Sequence, residues 1–252
     1  MLLRERTRAA IRAAREAGIR VLIVTGRMFQ SVRPYARAAG IDDPVVCYQG
    51  AAVVDPGSGE FLAHAPIPAE LARETIAAVT ETGFRLNCYV DDELYVAELT
   101  PEADRYAAFQ NLRIHEVGDL VSWLERDPTK LVVVGTSDEL DVLEVSMRER
   151  FDGRLHISKS LPIFLEFSRA GVTKGSGLAH VARLLGFAAE ETVAFGDGEN
   201  DVELLEWAGY GVAVENAHPR LAAVADLVCP PAEDEGVAQV IESYLTLVHS
   251  RS

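Results

Sequence analysis

Basic side chains are in short supply: 24 lysines and arginines stand against 39 aspartates and glutamates, a formal charge of −15 over 252 residues. A chain so acidic does not have a nucleic acid or an anionic membrane as its default partner. It can still bind an anion, because a local cation dominates its own pocket whatever the total. Cysteine is scarce too. Cys47, Cys88 and Cys229 are odd in number, far apart and without a C-x-x-C pair. That argues against a disulfide framework or a zinc cluster and suits small buried residues in a reducing compartment. No apolar run approaches the ~20 residues of a membrane helix. The start, Met1-Leu2-Leu3-Arg4-Glu5-Arg6, meets charge too early for a signal peptide. The expectation is a soluble, cytoplasmic protein whose 48% apolar content suffices for a sizeable core.

The pattern along the chain is that of a doubly wound α/β sheet. Thr7, Ala10, Ile11 and Ala14 recur at helical spacing, which predicts a helix from Arg4 to Ala17 stopped by Gly18. A β-branched run, Ile19 to Val24, reads as a buried parallel strand, followed by a helix to Ala39 and a strand from Pro44 to Tyr48. The same texture returns at the far end, with strands at 191–195, 210–214 and 226–228 between helices at 177–185, 202–208, 217–225 and 236–249. Residues 60–165 differ. They predict a long helix (Pro68 to Thr82) and a hairpin around Asp91-Asp92. Further strands follow at Asn111–His115, Lys130–Gly135, Arg154–Ser158 and Pro162–Phe167, with helices at 119–125 and 137–150. This is an α+β insert between two parts of one Rossmann-like core.

Three loops carry chemistry. Gly196-Asp197-Gly198-Glu199-Asn200-Asp201 leaves a predicted strand and opens a helix, the place where open α/β sheets bind ligands. Its two aspartates can face one hard cation, which prefers oxygen donors. The same residues also suit an acidic turn with Asp201 capping the next helix. A calcium loop does not fit, since Val202 and Ala208 would stand where glycine and glutamate are needed. Val24-Thr25-Gly26-Arg27 offers a hydroxyl and backbone N–H groups at a helix start. That makes either a phosphate cradle or a plain capping threonine. Lys174 lies among glycines in Gly171-Val172-Thr173-Lys174-Gly175-Ser176-Gly177. The order is not that of a P-loop, and the lysine suits a phosphoryl group or plain solvent. A parallel sheet would gather the three loops along one edge.

In this order the segments resemble the haloacid dehalogenase (HAD) superfamily, subclass IIB, the Cof-type phosphatases. Thr25 matches the second family motif, Lys174 the third, and Asp197 with Asp201 the fourth. Gln49-Gly50-Ala51, Val212-Ala213-Val214-Glu215-Asn216-Ala217 and Asp234-Glu235-Gly236-Val237-Ala238 fit as well, although the family ordinarily has asparagine where Gln49 stands. The resemblance implies an α/β fold with a doubly wound Rossmann-like core (1–59 and 166–252) and an inserted α+β, C2-type cap (60–165) that closes over the site. It implies phosphoryl transfer to an aspartate, with a second aspartate as acid and base and Mg²⁺ as cofactor. By match, Asp197 is a direct Mg²⁺ ligand, Asp201 supports the metal or its waters, and Asn200 hydrogen-bonds nearby. Thr25 holds a phosphoryl oxygen, with Gly26 and Arg27 beside it, and Lys174 offsets charge. The expected substrates are small phosphorylated metabolites such as sugar phosphates. Arg85, Asn87, Asp91, Asp92, Lys159 and Ser160 are candidates for choosing among them.

One family feature is missing. Family members place an apolar strand ending in Asp-x-Asp-Gly-Thr before the first helix, and no Asp-x-Asp occurs in these 252 residues. The nucleophile and the acid/base would lie on that strand, and its absence would leave the strands at Val21 and Val193 without a neighbour between them. The expectation is an enzyme whose recorded start falls too late. The alternatives are a phosphate- and Mg²⁺-binding protein without turnover, or a sugar- or nucleotide-binding module that shares only the fold.

Overall fold

A computed structural model describes residues 3–110 and 112–249. Met1 and Leu2, part of the reading of the start, and Asn111, the first residue of an expected strand, lie outside them. In chain order the elements begin with α1 (Glu5–Glu16), α2 (Phe29–Ala39), β1 (Val45–Cys47), β2 (Ala52–Val54), β3 (Phe61–His64), α3 (Ala69–Glu81), β4 (Leu86–Val90) and β5 (Glu93–Val96). Next come α4 (Pro101–Gln110), β6 (Ile114–Glu116), α5 (Leu120–Trp123), β7 (Lys130–Val134), α6 (Ser137–Arg150), β8 (Leu155–Leu161) and β9 (Phe164–Arg169). The chain closes with α7 (Lys174–Leu185), β10 (Val193–Gly196), α8 (Val202–Trp207), β11 (Tyr210–Val214), α9 (Pro219–Ala222), β12 (Leu227–Cys229) and α10 (Gly236–His249).

The insert is built on a six-stranded sheet in the order β6-β5-β4-β7-β9-β8. One face carries Cys88, Leu131, Val133, Leu165 and Phe167, all fully buried with Ile76, Leu140 and Met147 of α3 and α6. Each such side chain contributes about 1.5–3 kcal/mol of burial. The opposite face presents Tyr89, Val132 and Phe164 to Phe29, Val32 and Tyr48 of the core domain. The ladders do not respect borders at 59/60 and 165/166. β3 pairs with β2, and β9 pairs with β7 and β8. We therefore place the changeovers near Ala65 and after Arg169.

The core sheet is in two pieces. β10, β11 and β12 are parallel neighbours, and β1, β2 and β3 are antiparallel ones. The expected strand Ile19–Val24 makes one parallel bridge, Val24 to Val46, in place of a ladder. On that side Val46 N–H donates to Ile23 O at 2.9 Å and Thr25 N–H to Val46 O at 2.8 Å. On its other side, among the described residues, no ladder joins it to β10. Leu22 and Val24 nevertheless pack on the cluster that holds Leu178 of α7 and Ala194 of β10. Leu22, Ile23, Val24 and Phe195 are only half-buried and Val193 is 45% exposed, whereas the central strands of a parallel sheet are normally covered on both faces. The core sheet therefore has a gap in its hydrogen bonding between Ile19–Val24 and β10 among the described residues.

Candidate active site

The loops that leave the core strands on either side of this gap carry the charged groups. Asp201 organises the acidic loop. Its Oδ2 accepts from the backbone N–H groups of Asp197 and Gly198, both at 3.0 Å. Its Oδ1 accepts from Lys174 Nζ, in a pair whose side chains are 5% and 9% exposed. Asp201 is thus committed on both oxygens. It fixes the loop and neutralises the lysine, and it does not cap α8 with its side chain.

Asp197 is different. Its backbone is held from both sides, the N–H by Asp201 and the carbonyl by His218 N–H at 2.9 Å, while its side chain remains exposed at the end of β10. Protein packed around the carboxyl pushes its pKa up, the Asp201 charge adds to this, and Lys174 partly offsets both. A raised carboxylate beside a second one is a group that gains from a cation. No cluster of three or more His, Cys, Asp or Glu able to hold a metal exists among the described residues. Magnesium does not need one, since it is commonly held by one or two carboxylates with waters and phosphate oxygens completing its shell. Asp197 as direct donor with Asp201 behind it fits that mode.

Lys174 arrives here because α7 starts three residues earlier than the glycines suggest. Thr173 Oγ1 accepts from Ser176 N–H at 3.1 Å and Ser176 Oγ from Thr173 N–H at 2.9 Å, a capping box that begins the helix at Lys174. Glycines then sit in the first turns because neighbours come too close for side chains. A Cβ on Gly175 would lie 2.2 Å from Glu203 O, and one on Gly177 would lie 2.7 Å from Gly50 Cα. Gly50 itself has φ +103° and touches Thr173, so α7 seats its N-terminus directly on the 48–50 turn.

That turn binds the Thr25 loop. Gln49 N–H donates to Thr25 O at 3.1 Å and Tyr48 N–H to Arg27 O at 3.0 Å. Tyr48 and Gln49 have φ of +53° and +58°. These are uncommon values outside glycine and mark local strain of about 1–3 kcal/mol each. Thr25 Oγ1 accepts from Arg27 N–H at 3.2 Å, the hydrogen bond of a helix-entry turn. Arg27 reaches Ser31 one turn along α2, at 3.4 Å. Asn200 Nδ2 donates to Gln49 Oε1 at 3.1 Å, which ties the acidic loop to the Thr25 loop through Gln49.

All the expected site residues thus lie on three loops that touch one another, with Thr25 and Asp197 on opposite sides of the gap. The cap candidates have other commitments. Asp92 accepts from Phe29 and Gln30 N–H, both at 2.9 Å, and from Tyr48 O–H at 2.7 Å, so it caps α2 from the other domain. Asp91 pairs with Arg126, Arg85 with Glu98 and Lys159 with Asp141, while Asn87 is buried in β4. Ser160 donates to Glu166 at 2.6 Å and through it joins a network that reaches the site. Lys130 and Glu166 carry little local signal: a charge at an otherwise apolar strand position, which by itself reads as an exposed edge.

Comparison with known proteins agrees with this geometry. A family model for haloacid dehalogenase-like hydrolases matches residues 2–241. The pyridoxal phosphate phosphatase YbhA of Escherichia coli is 29% identical, over 94% of this chain and 90% of its own. An HMP-PP phosphatase of Serratia proteamaculans is 28% identical, over 95% and 88%. Among solved structures, TM0651 from Thermotoga maritima has a TM-score of 0.83 at 30% identity, covering 96% of this chain and 91% of that one. With three motif loops assembled on a Rossmann-like core under an α+β insert, the chain belongs to the haloacid dehalogenase-like hydrolases, among their Cof-type phosphatases.

Proposed function

We propose that the protein is a Mg²⁺-dependent, cytoplasmic phosphatase of small phosphorylated metabolites that works through an aspartyl-phosphate. The nucleophile would be a carboxylate on a strand that fills the gap between Val24 and β10. The observation that carries the reading is the buried Lys174–Asp201 pair beside the open carboxylate of Asp197, with the Thr25 hydroxyl across the gap. When bound, Mg²⁺ would lower the repulsion between an attacking carboxylate and phosphate oxygens. Asp197 would hold the cation and Asp201 would keep Asp197 aimed through its two loop amides. Lys174, shielded from water on α7, would stabilise negative charge on the transferring group. Thr25 has one acceptor position used by Arg27 N–H and keeps its O–H for a phosphoryl oxygen.

The relatives are described as acting on pyridoxal phosphate and HMP-PP, both small phosphorylated compounds, which supports that substrate class. A panel of such phosphates with and without Mg²⁺ tests the reading on the polypeptide extended upstream in its own frame. Release of phosphate that needs Mg²⁺ and vanishes in Asp197→Asn is the expected result. A second reading is favoured by the open gap and the absence of Asp-x-Asp from the 252 residues. It holds that the site binds Mg²⁺ and phosphate without turnover. Binding by calorimetry with no phosphate release from the extended polypeptide would select it.

A further inference from the structure

Among the described residues, Lys130 and Glu166 form a second deeply buried ion pair, at 3.2 Å, with side chains 5% and 7% exposed. Glu166 lies opposite Val132 on β7, so Lys130 is its diagonal neighbour on the sheet face turned toward the core domain. Neither residue has a part in the function proposed above. A buried ion pair is a poor stabiliser, because desolvation removes most of what the charges gain and apolar residues of the same volume do as well or better. The same face already holds the domains together with Tyr89, Val132 and Phe164, beside Tyr106 of α4. What the pair does beyond packing is visible in its hydrogen bonds.

Lys130 Nζ also donates to Gly26 O at 3.0 Å, the carbonyl between Thr25 and Arg27. Glu166 Oε2 accepts from Gln49 Nε2 at 3.4 Å, and Oε1 accepts from Ser160 Oγ. Gln49 Oε1 in turn accepts from Asn200. One continuous chain of polar contacts therefore runs from the Thr25 loop through two strands of the insert to the loop of Asp197 and Asp201. The sequence is fitted to it. The Gln49 amide lies where a Cβ of residue 26 would be, 2.3 Å from Nε2, so a side chain at position 26 would push Gln49 off this path. Gln49 itself sits at φ +58° on this path.

We propose that Glu166 is a positioning residue, with Lys130 and Gln49 as its two arms, that fixes the spacing between the Thr25 loop and the Asn200–Asp201 loop and keys the insert to that spacing. Its use in catalysis rests on the phosphatase reading; the linkage itself does not.

The test is two-dimensional ¹H–¹⁵N NMR of the full chain, following the Asn200 side-chain amide and the Gly26 and Arg27 backbone amides. In Glu166→Gln all three are expected to move, although Asn200 does not touch residue 166. In a Gln49→Ala background the same substitution should still shift Gly26 and leave Asn200 where it was. Lys130→Met with Glu166→Gln, which removes both charges together, is read the same way if the single variant does not fold. An unmoved Asn200 amide in Glu166→Gln overturns the proposal, and so does an equal shift with Gln49 removed. Loss of folding in both the single and the charge-neutral variant overturns it in favour of a purely structural pair. Since no turnover is needed, the expected shifts would leave the linkage standing even if the polypeptide extended upstream released no phosphate, the result that would refute the phosphatase reading.

Discussion

Removing the Asp201 charge should reveal how strongly the acidic loop is held. In Asp201→Asn the amide oxygen can still accept from Asp197 and Gly198 N–H, but the Lys174 ammonium, 9% exposed, loses its counter-ion. Breaking a buried pair by removing one partner costs about 3–5 kcal/mol. The three hydrogen bonds to this carboxylate cannot be added on top, because they belong to one group and are not independent. For a domain of this size each kcal/mol shifts Tm by roughly 2–4 °C, which gives a fall of about 6–20 °C. Adding Lys174→Met removes the orphaned charge and keeps the loop amides satisfied, so the double variant should return to within about 2 kcal/mol of the parent. Urea unfolding followed by circular dichroism on parent, singles and double closes the cycle. If Asp201→Asn lies within about 1 kcal/mol of the parent, or the double variant is no better than the single, the pair is not buried and coupled as described.

Other expectations follow from neighbouring contacts. Gly50→Ala would put a Cβ 2.0 Å from Thr173 O at φ +103° and should destabilise by about 1–3 kcal/mol or more, read as a lower urea midpoint. Asp92→Ala removes the cap of α2 and should cost about 0.5–2 kcal/mol, with faster hydrogen exchange confined to the Phe29 and Gln30 amides and their neighbours. Burial raises Asp197 above the ordinary 3.8, so its carboxyl keeps a proton in the folded chain that the unfolded chain has already lost. Its contribution is therefore present below that ordinary value and lost as pH rises through the folded one. Asp197→Asn should accordingly gain stability over the parent as pH moves from acid toward neutral, and an equal difference at both ends would show that the carboxyl is not perturbed.

The site was legible where chemistry is local. Thr25, Lys174, Asp197, Asn200 and Asp201 each stand at a strand end or helix start, and a parallel sheet brings such positions to one edge. The β-hairpin of β2 and β3 was not read, although Asp55-Pro56-Gly57-Ser58-Gly59 between two short apolar runs is turn chemistry. Nor was α4, whose start carries Thr100, Pro101 and Glu102, a serviceable helix entry. The Lys130–Glu166 pair is another matter. Its members are 36 residues apart, and only the β7–β9 register puts them on one face. The role of Asp92 likewise depends on a contact with α2 that spans more than sixty residues, and no local pattern reports it. The strand Ile19–Val24 shows the reverse. Its composition is that of a central strand, but a ladder needs neighbours, and among the described residues it has one only at Val46.

As proposed, the loops of Thr25, Lys174 and Asp197 serve a carboxylate nucleophile in Mg²⁺-dependent phosphoryl transfer. The most direct measurement is Mg²⁺-dependent phosphate release from 4-nitrophenyl phosphate, comparing the 252-residue chain with the polypeptide extended upstream in its own frame. No turnover is expected from the former and Mg²⁺-dependent turnover from the latter, abolished by Asp197→Asn. Turnover by the 252 residues alone, or an extended enzyme indifferent to Asp197, would contradict it.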